Sequence, residues 1–280
     1  MKSVMQKMEP ACKNRRQTDS RYDLSKACFR NPETGRPDED AIRKLLIKPV
    51  TVLEGDIQEQ VRVFARPDRT CTDYTGVVTC ASQGLHVLAH GEEWTLIEAY
   101  SSADEQADVK VYARHFEGWV RTNRLREVEV DRTYGLVIDK LLQRMYVFRD
   151  GKLFSTLMVS TGIPAEDVSS LETPAGEFLI VSWEGMFWAG NNCCNAGMRI
   201  NRSIFIHEVP GTLRTDASGE RYLDYASNER HLGEKASHGC IRVQRNPSPE
   251  GIDAKWLFNN LHRRPSTKVI ILDDFGWRSD

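Results

Sequence analysis

The 280-residue sequence predicts a mainly β chain: a small barrel, then a larger strand-rich domain that carries one packed helix. Three patterns carry this prediction. Short runs of alternating or continuous apolar residues recur between turn-forming residues, and only two stretches show helical spacing. A third pattern is the sequence Arg149-Asp150-Gly151-Lys152 between two such runs, where Asp-Gly suits the positive φ of a tight hairpin turn.

Residues 1–36 are charged, interrupted by Pro and Gly, and weakly periodic, so they read as a tail. Asp38 to Leu46 reads as a short helix, with acids in its first turn and Arg43-Lys44 later. Residues 1–46 together form the predicted N-terminal extension. From 47 to 128 the pattern is one of short strands. Val61 to Ala65 alternates and is broken by Arg66-Pro67-Asp68; Leu85 to Ala89, Trp94 to Ala99 and Gly118 to Val120 follow. Trp94 and Trp119 are either core aromatics or the lining of a peptide groove, and His86 and His90 flank a strand as structural or exposed residues. From 131 to 280 the chain is again strand-rich. Ile252, Trp256, Leu257 and Leu261 share a helical face after Pro249, and Lys268 to Leu272 is a last apolar strand.

Composition narrows the function classes. Apolar residues make up 40% of the chain, enough for real cores, and 28% are charged with a net charge of −2. The basic clusters are short and scattered, which argues against a nucleic-acid footprint. No apolar run approaches the ~20 residues of a membrane helix, and the polar N-terminus shows no signal peptide.

The chemistry concentrates in Ser237-His238-Gly239-Cys240-Ile241-Arg242, with His207 ending a separate strand, Ser203 to His207. A thiol becomes a good nucleophile when a neighbouring base or positive charge favours its thiolate. A glycine beside it lets backbone N–H groups approach a reacting carbonyl. This combination points to acyl transfer by Cys240. Two histidines compete for the base: His207, and His238, which alternation on a strand would place on the Cys240 face.

This stretch resembles the signature of the YkuD-type L,D-transpeptidases, bacterial cell-wall enzymes. Tyr134 to Asp139, Met145 to Phe148 with Asp150-Gly151, Ser160-Thr161-Gly162, and Thr173 to Phe178 resemble the family's earlier landmarks in the same order. The resemblance covers roughly residues 131–273 and implies a β-sandwich catalytic domain over 131–280. Residues 47–128 resemble a bacterial SH3-like domain, a module that often accompanies wall-remodelling enzymes. The family resemblance implies Cys240 as nucleophile and His207 as base, with His238 supporting the site and the carbonyl of Glu208 orienting the imidazole. Gly239 and Cys240 N–H groups are the candidate oxyanion donors, and Ser237 hydrogen-bonds within the motif. Arg242 is expected to hold a substrate carboxylate, to brace the loop, or to form a structural ion pair. Glu208, where the family commonly has glycine, is expected to shape the pocket or approach the imidazole.

Two insertions depart from the family pattern. Between His207 and Ser237 lie 29 residues, more than is usual, and the extra polar segment 212–234 has the character of a lid or a substrate-selecting loop. The other, Trp183 to Met198, carries Met186, Phe187, Trp188 and Cys193-Cys194. Its aromatics either cover the cleft or pack beneath it.

The implied activity joins peptidoglycan stem peptides through a Cys240 thioester, outside the membrane, without metal or organic cofactor, and implies carbapenem acylation of Cys240. Two alternatives stay open: hydrolysis of the same thioester, giving an L,D-carboxypeptidase, and a catalytically silent wall-binding protein. Zinc binding by His207, His231, His238 and Cys240 is disfavoured by irregular spacing. Of seven cysteines, six remain beside Cys240, and an oxidising compartment would allow three disulfides. Cys71 with Cys80, across a turn-like Asp73 to Gly76, and Cys12 with Cys28 are expected pairs. Cys193 and Cys194 form a vicinal bridge or pair elsewhere.

Overall fold

The computed structural model describes residues 38–102, 113–164 and 171–274. Cys12 and Cys28 lie outside them. The described chain is mostly strand, as the short apolar runs predict. Helix α1 (Glu39–Leu46) is capped by the Asp38 carboxylate, which accepts from the N–H groups of Asp40 and Ala41. Its buried face, Ile42, Leu45 and Leu46, packs with Val137, Phe148, Ile270 and Leu272. The buried Lys268 ammonium fastens the helix end by donating to the carbonyls of Leu45 and Lys48.

The first half holds β1 (Val50–Leu53), β2 (Gln60–Phe64), β3 (Tyr74–Thr79), β4 (His86–Ala89), β5 (Trp94–Tyr100), β6 (His115–Arg121) and β7 (Leu125–Val128). Strands β3-β2-β6-β5-β4 form one five-stranded sheet, while β1 pairs with β7. The inner faces of these strands supply a core of their own, with Leu53, Val63, Val78, Ile97 and Val120 at its centre. Trp94 and Trp119 are half-buried outside that core. Trp94 meets Phe64 edge-on at 5.3 Å and lies under the Arg121 guanidinium at 4.7 Å.

One expectation fails in this half. The turn expected over Asp73 to Gly76 is mostly strand: Tyr74–Thr79 form β3, paired with β2 from Thr79 back to Tyr74. Cys71 and Cys80 therefore sit at opposite ends of an extended segment. At ~3.3 Å per residue the six-residue strand between them is itself longer than the <7 Å a disulfide tolerates. Both are free thiols, as are Cys193, Cys194 and Cys240, so no disulfide forms among the described residues. Cys193 and Cys194 are successive strand residues, whose side chains point to opposite faces.

His86 serves structure. His86 Nδ1 lies 2.6 Å from Glu98 Oε1, and His115 Nε2 lies 2.9 Å from Oε2. Burial alone would raise this carboxyl; the hydrogen bonds from His115 and His86 outweigh burial and bring it down to about 2. Glu98 thus adds stability above its unfolded value, and loses that contribution as the pH falls through about 2. Replacing Glu98 with Ala leaves both imidazoles without their carboxylate, and should lower unfolding free energy by about 3 kcal/mol at neutral pH. Urea unfolding curves measure this; a loss under about 1 kcal/mol would show the triad to be an ornament of the surface.

The second half holds β8 (Tyr134–Asp139), β9 (Arg144–Arg149), β10 (Lys152–Ser160), β11 (Gly176–Leu179), β12 (Ser182–Ala189), β13 (Asn192–Asn201), β14 (Ile204–Glu208), β15 (Gly211–Thr215), β16 (Arg221–Asp224), α2 (Ala226–Glu229), β17 (Ile241–Val243), α3 (Ala254–Leu261) and β18 (Lys268–Leu272). The predicted Asp-Gly turn joins β9 to β10, with φ of 51° at Asp150 and 74° at Gly151. Strand order is β11-β18-β8-β9-β10-β17-β14-β13-β15-β16, with β12 hydrogen-bonded to β13.

Strand β10 is the hinge of this layout: most of it pairs with β9, and its last residues, Val159 and Ser160, pair with β17. The sheet folds there into two facing layers. Leu136, Val147, Leu157 and Val269 from one side meet Met198, Ile206, Ile241 and Val243 from the other, with Leu257 and Leu261 of α3 closing the core. The sandwich orders β14 and β17 side by side, and those two strands carry the candidate residues.

Candidate active site

Strands β14 and β17 are parallel neighbours, with Ile206 opposite Ile241 and His207 opposite Arg242. Ile206 and Ile241 both point into the core. Alternation then sends Phe205, His207 and Arg242 to the other face, and Cys240, one residue ahead of β17, joins them. In that register Cys240 lies opposite Phe205. Its Cα is therefore about two strand positions from that of His207, a diagonal spacing that longer side chains bridge.

The histidine is fixed in one tautomer. Its Nδ1–H donates to the Glu208 carbonyl at 2.6 Å, leaving Nε2 as an acceptor. His207 is 3% exposed, and burial pulls its imidazole down to about 4; the nearby Arg242 charge lowers it further, while the Glu208 carbonyl opposes. Phe187 closes over it, its ring 5.6 Å from the imidazole and 4.7 Å from Phe205. Of the aromatics in the β12–β13 insertion, Phe187 therefore packs against the site, while Met186 and Trp188 stand 62% and 50% exposed.

Cys240 has intermediate exposure, but its surroundings are crowded and push the thiol up; a Phe205 backbone bond and the charges of Arg242 and Arg199 oppose this. Its Sγ donates to the Ser203 carbonyl at 3.7 Å. The resting pair is thus a neutral thiol and a neutral imidazole. By contrast Cys194 is a buried structural thiol, pushed up to about 12 by desolvation and then by the neighbouring Cys240.

The loop before Cys240 is built from inside. Gly239 has φ +108°, a conformation glycine alone adopts without strain. The buried Ser237 hydroxyl donates to the Cys240 carbonyl at 2.5 Å and accepts from Gly239 N–H at 3.2 Å. Gly239 N–H is therefore spent within the loop, and Cys240 N–H is the stronger oxyanion candidate of the two. Thr173 Oγ1 donates to the Gly239 carbonyl at 2.7 Å and accepts from Gly162 N–H at 2.8 Å. The Thr161 carbonyl accepts from Ala236 and Ser237 N–H groups, and Gln143 braces Thr161. The Ser-Thr-Gly and Thr-Pro landmarks thus stand directly behind the thiol loop.

Other candidates separate from the pair. His238 is exposed, and the turn at Gly239 breaks the strand alternation that would have placed it beside Cys240. His231 belongs to a loop, 3.3 Å from Glu234. The expectation that Glu208 approaches the imidazole is wrong. As the strand neighbour of His207 its side chain points the opposite way, to Arg245 at 3.5 Å and Lys255 at 3.6 Å. Only its carbonyl reaches the ring. The structural ion pair expected of Arg242 is not found among the described residues, and its charge acts on the Cys240 thiol. No group of three or more His, Cys, Asp or Glu residues suited to a metal occurs among the described residues.

Segment 212–234 contributes β15, β16 and α2, which extend the sheet beyond β13. Arg245 ties it down, pairing with Glu229 at 3.1 Å and covering the Tyr225 ring at 3.7 Å. Through Glu208 this anchor reaches the strand that carries His207. Phe187 is the one at the site among the insertion's aromatics, which the sequence left open as cleft cover or packing, while Ser203 as the partner of the thiol and Thr173 as the support of the loop were missed.

Residues 133–271 match the family model described as the L,D-transpeptidase catalytic domain, YkuD. YciB of Bacillus subtilis (strain 168), provisionally named an L,D-transpeptidase, is 25% identical over 194 residues, spanning 65% of this chain and 88% of its own. An L,D-transpeptidase structure from Mycobacterium smegmatis aligns at 14% identity and a TM-score of 0.37, over 69% of this chain and 96% of its own. One from Mycobacterium tuberculosis H37Rv aligns at 16% identity and a TM-score of 0.37, over 69% and 96%.

Proposed function

Through residues 133–271 this chain belongs to the YkuD family of L,D-transpeptidase catalytic domains, and from that premise we propose a cysteine-dependent peptidoglycan L,D-transpeptidase acting outside the membrane. The observation that carries the reading is the tautomer lock on His207: its Nδ1–H is held by the Glu208 carbonyl, so the basic nitrogen serves the face that Cys240 shares. Residues 47–128 form its accessory module of SH3-like type, a reading supported by their five-stranded sheet around a separate core.

In the first half-reaction His207 Nε2 takes the thiol proton and Cys240 Sγ attacks the carbonyl between an L-centre and a terminal D-residue. The oxyanion meets the Cys240 N–H. The C–N bond then breaks, the imidazolium returns its proton to the leaving amine, and a thioester remains. In the second half-reaction an acceptor amine attacks the thioester carbonyl and gives its proton to His207. The thiolate leaves and recovers that proton. A neutral resting pair suits this route, because proton transfer accompanies attack instead of preceding it.

Intact-mass measurement after incubation with a carbapenem tests the site. One adduct is expected on the wild-type protein and none on Cys240→Ala. An adduct on both would place the reactive group elsewhere; none on folded, reduced wild type would sink the nucleophile assignment. Muropeptide products then separate cross-linking from hydrolysis of the thioester.

A further inference from the structure

Three routes converge on the thiol loop from one buried cation. Lys140 lies in the turn between β8 and β9, and it is 1% exposed, as are Glu172 and Asp274 beside it. Its ammonium donates to Glu172 Oε1 at 3.2 Å and to the Thr173 carbonyl at 3.0 Å, and lies 3.4 Å from Asp274 Oδ1. The first route runs through Thr173, whose hydroxyl donates to the Gly239 carbonyl. The second runs through Asp274, which also pairs with the Lys235 ammonium, two residues before Ser237. The third starts at the Lys140 carbonyl, which accepts from Gln143 Nε2. That amide grips Thr161, and the Thr161 carbonyl accepts from the Ala236 and Ser237 N–H groups. Lys235, Ala236, Ser237 and Gly239 are all reached in this way, and Cys240 follows. Glu172 has a further anchor in Arg114 Nη1 at 3.2 Å, which comes from the first half just before β6.

Burying ion pairs is a poor way to stabilise a fold, because apolar residues of similar volume often serve as well or better. Three charged side chains at 1% exposure therefore need another reason to stand here. Their bonds lead to the segment that presents the Cys240 N–H. A donor aimed at an oxyanion works best when it keeps its aim as the charge develops. Charge-assisted hydrogen bonds, joined in a network of low local dielectric, supply that stiffness.

We propose that Lys140 is a positioning residue for the reaction of Cys240: its ammonium holds Thr173 and Asp274, and through them the loop whose Cys240 N–H receives the oxyanion. The proposal rests on the acyl-transfer reading of the site. Lys140 itself stays behind the loop, without a part in binding or proton transfer. Through Arg114 and Glu172 the first half of the chain shares in the brace.

The test compares Glu172→Gln with Glu172→Gln carrying Lys140→Met. The double variant removes a cation and its carboxylate together, and Asp274 keeps Lys235, so no buried charge is stranded. Thermal melting reports folding, and timed intact mass gives the rate of carbapenem acylation well below melting. Alkylation of Cys240 by iodoacetamide, read by peptide mass, supplies the contrast: it needs the thiol and its base but develops no oxyanion. Adding Lys140→Met should slow acylation about tenfold or more, while alkylation changes by less than about twofold. Arg114→Gln alters a partly exposed residue, so its folding is secure, and it should slow acylation about threefold with alkylation again unchanged. Equal acylation with and without Lys140, or equal losses in acylation and alkylation, overturns the proposal. If the double variant does not fold, Arg114→Gln decides, and an unchanged acylation rate there overturns it too. A wild type that forms no carbapenem adduct overturns the catalytic reading as well, whereas equal rates on a reactive wild type overturn only the role of Lys140.

Discussion

Replacing His207 with Ala should slow carbapenem acylation of Cys240 by about 10²–10⁴-fold, the usual worth of a positioned general base. The thiol cannot supply its own thiolate, because its crowded surroundings push it up from its ordinary value. Arg242 and Arg199 favour the anion without accepting a proton. Only a base on the same face can take that proton, and His207 is the buried imidazole whose tautomer is already fixed. Timed intact-mass measurements give the rate. A loss below about threefold would end the assignment, and a larger loss in His238→Ala would move the role to the exposed histidine.

The pH dependence sharpens this test. Burial disfavours the imidazolium first, and the Arg242 charge disfavours it further, so His207 stays neutral down to about 4. A neutral imidazole is the active base. The acylation rate should therefore hold as the pH drops through 6.5 and fall only as His207 takes a proton near 4. An acid limb centred between 6 and 7 would mean an imidazole in ordinary solvation, in conflict with its place beneath Phe187.

What the sequence made legible was local. The alternating run 61–65 and the apolar run 203–207 mark strands by local pattern alone, and the Asp150-Gly151 turn announces itself through backbone chemistry. The site residues were legible for a related reason: a reactive thiol needs its glycine and its base close by in the fold, and both sit in short, distinctive stretches. Long-range placement was not. Residues 74–79 pair with β2, and nothing in Asp73 to Gly76 outweighs its turn-like composition. The Cys71–Cys80 expectation failed with it, since a strand holds the two thiols apart. Glu208 could have been placed by alternation alone, being one step from His207. Ser203 and Thr173 reach the site only through sheet register and loop closure, and the same register selects Phe187 from the three aromatics of its insertion, which single-sequence patterns do not encode.

Thr173 carries the second large effect, and there the support of the site can be separated from its chemistry. Its side chain is fully buried, and one hydroxyl serves two backbone groups, Gly162 N–H and the Gly239 carbonyl. Valine has nearly the same shape and no hydroxyl, so Thr173→Val leaves both groups buried and unpaired, at about 1–3 kcal/mol each. Unfolding free energy should fall by about 2–6 kcal/mol. Acylation at a temperature well below melting should fall at least tenfold, because Gly239 is released and the Cys240 N–H loses its aim. Thr173→Ser keeps the hydroxyl and gives up one methyl, about 1 kcal/mol, so it should recover most of the acylation rate. If valine and serine variants react at the same rate, the hydroxyl does not hold the loop. If valine lowers stability but not rate, Thr173 supports the fold while the thiol loop keeps its shape through Ser237 and the Thr161 carbonyl.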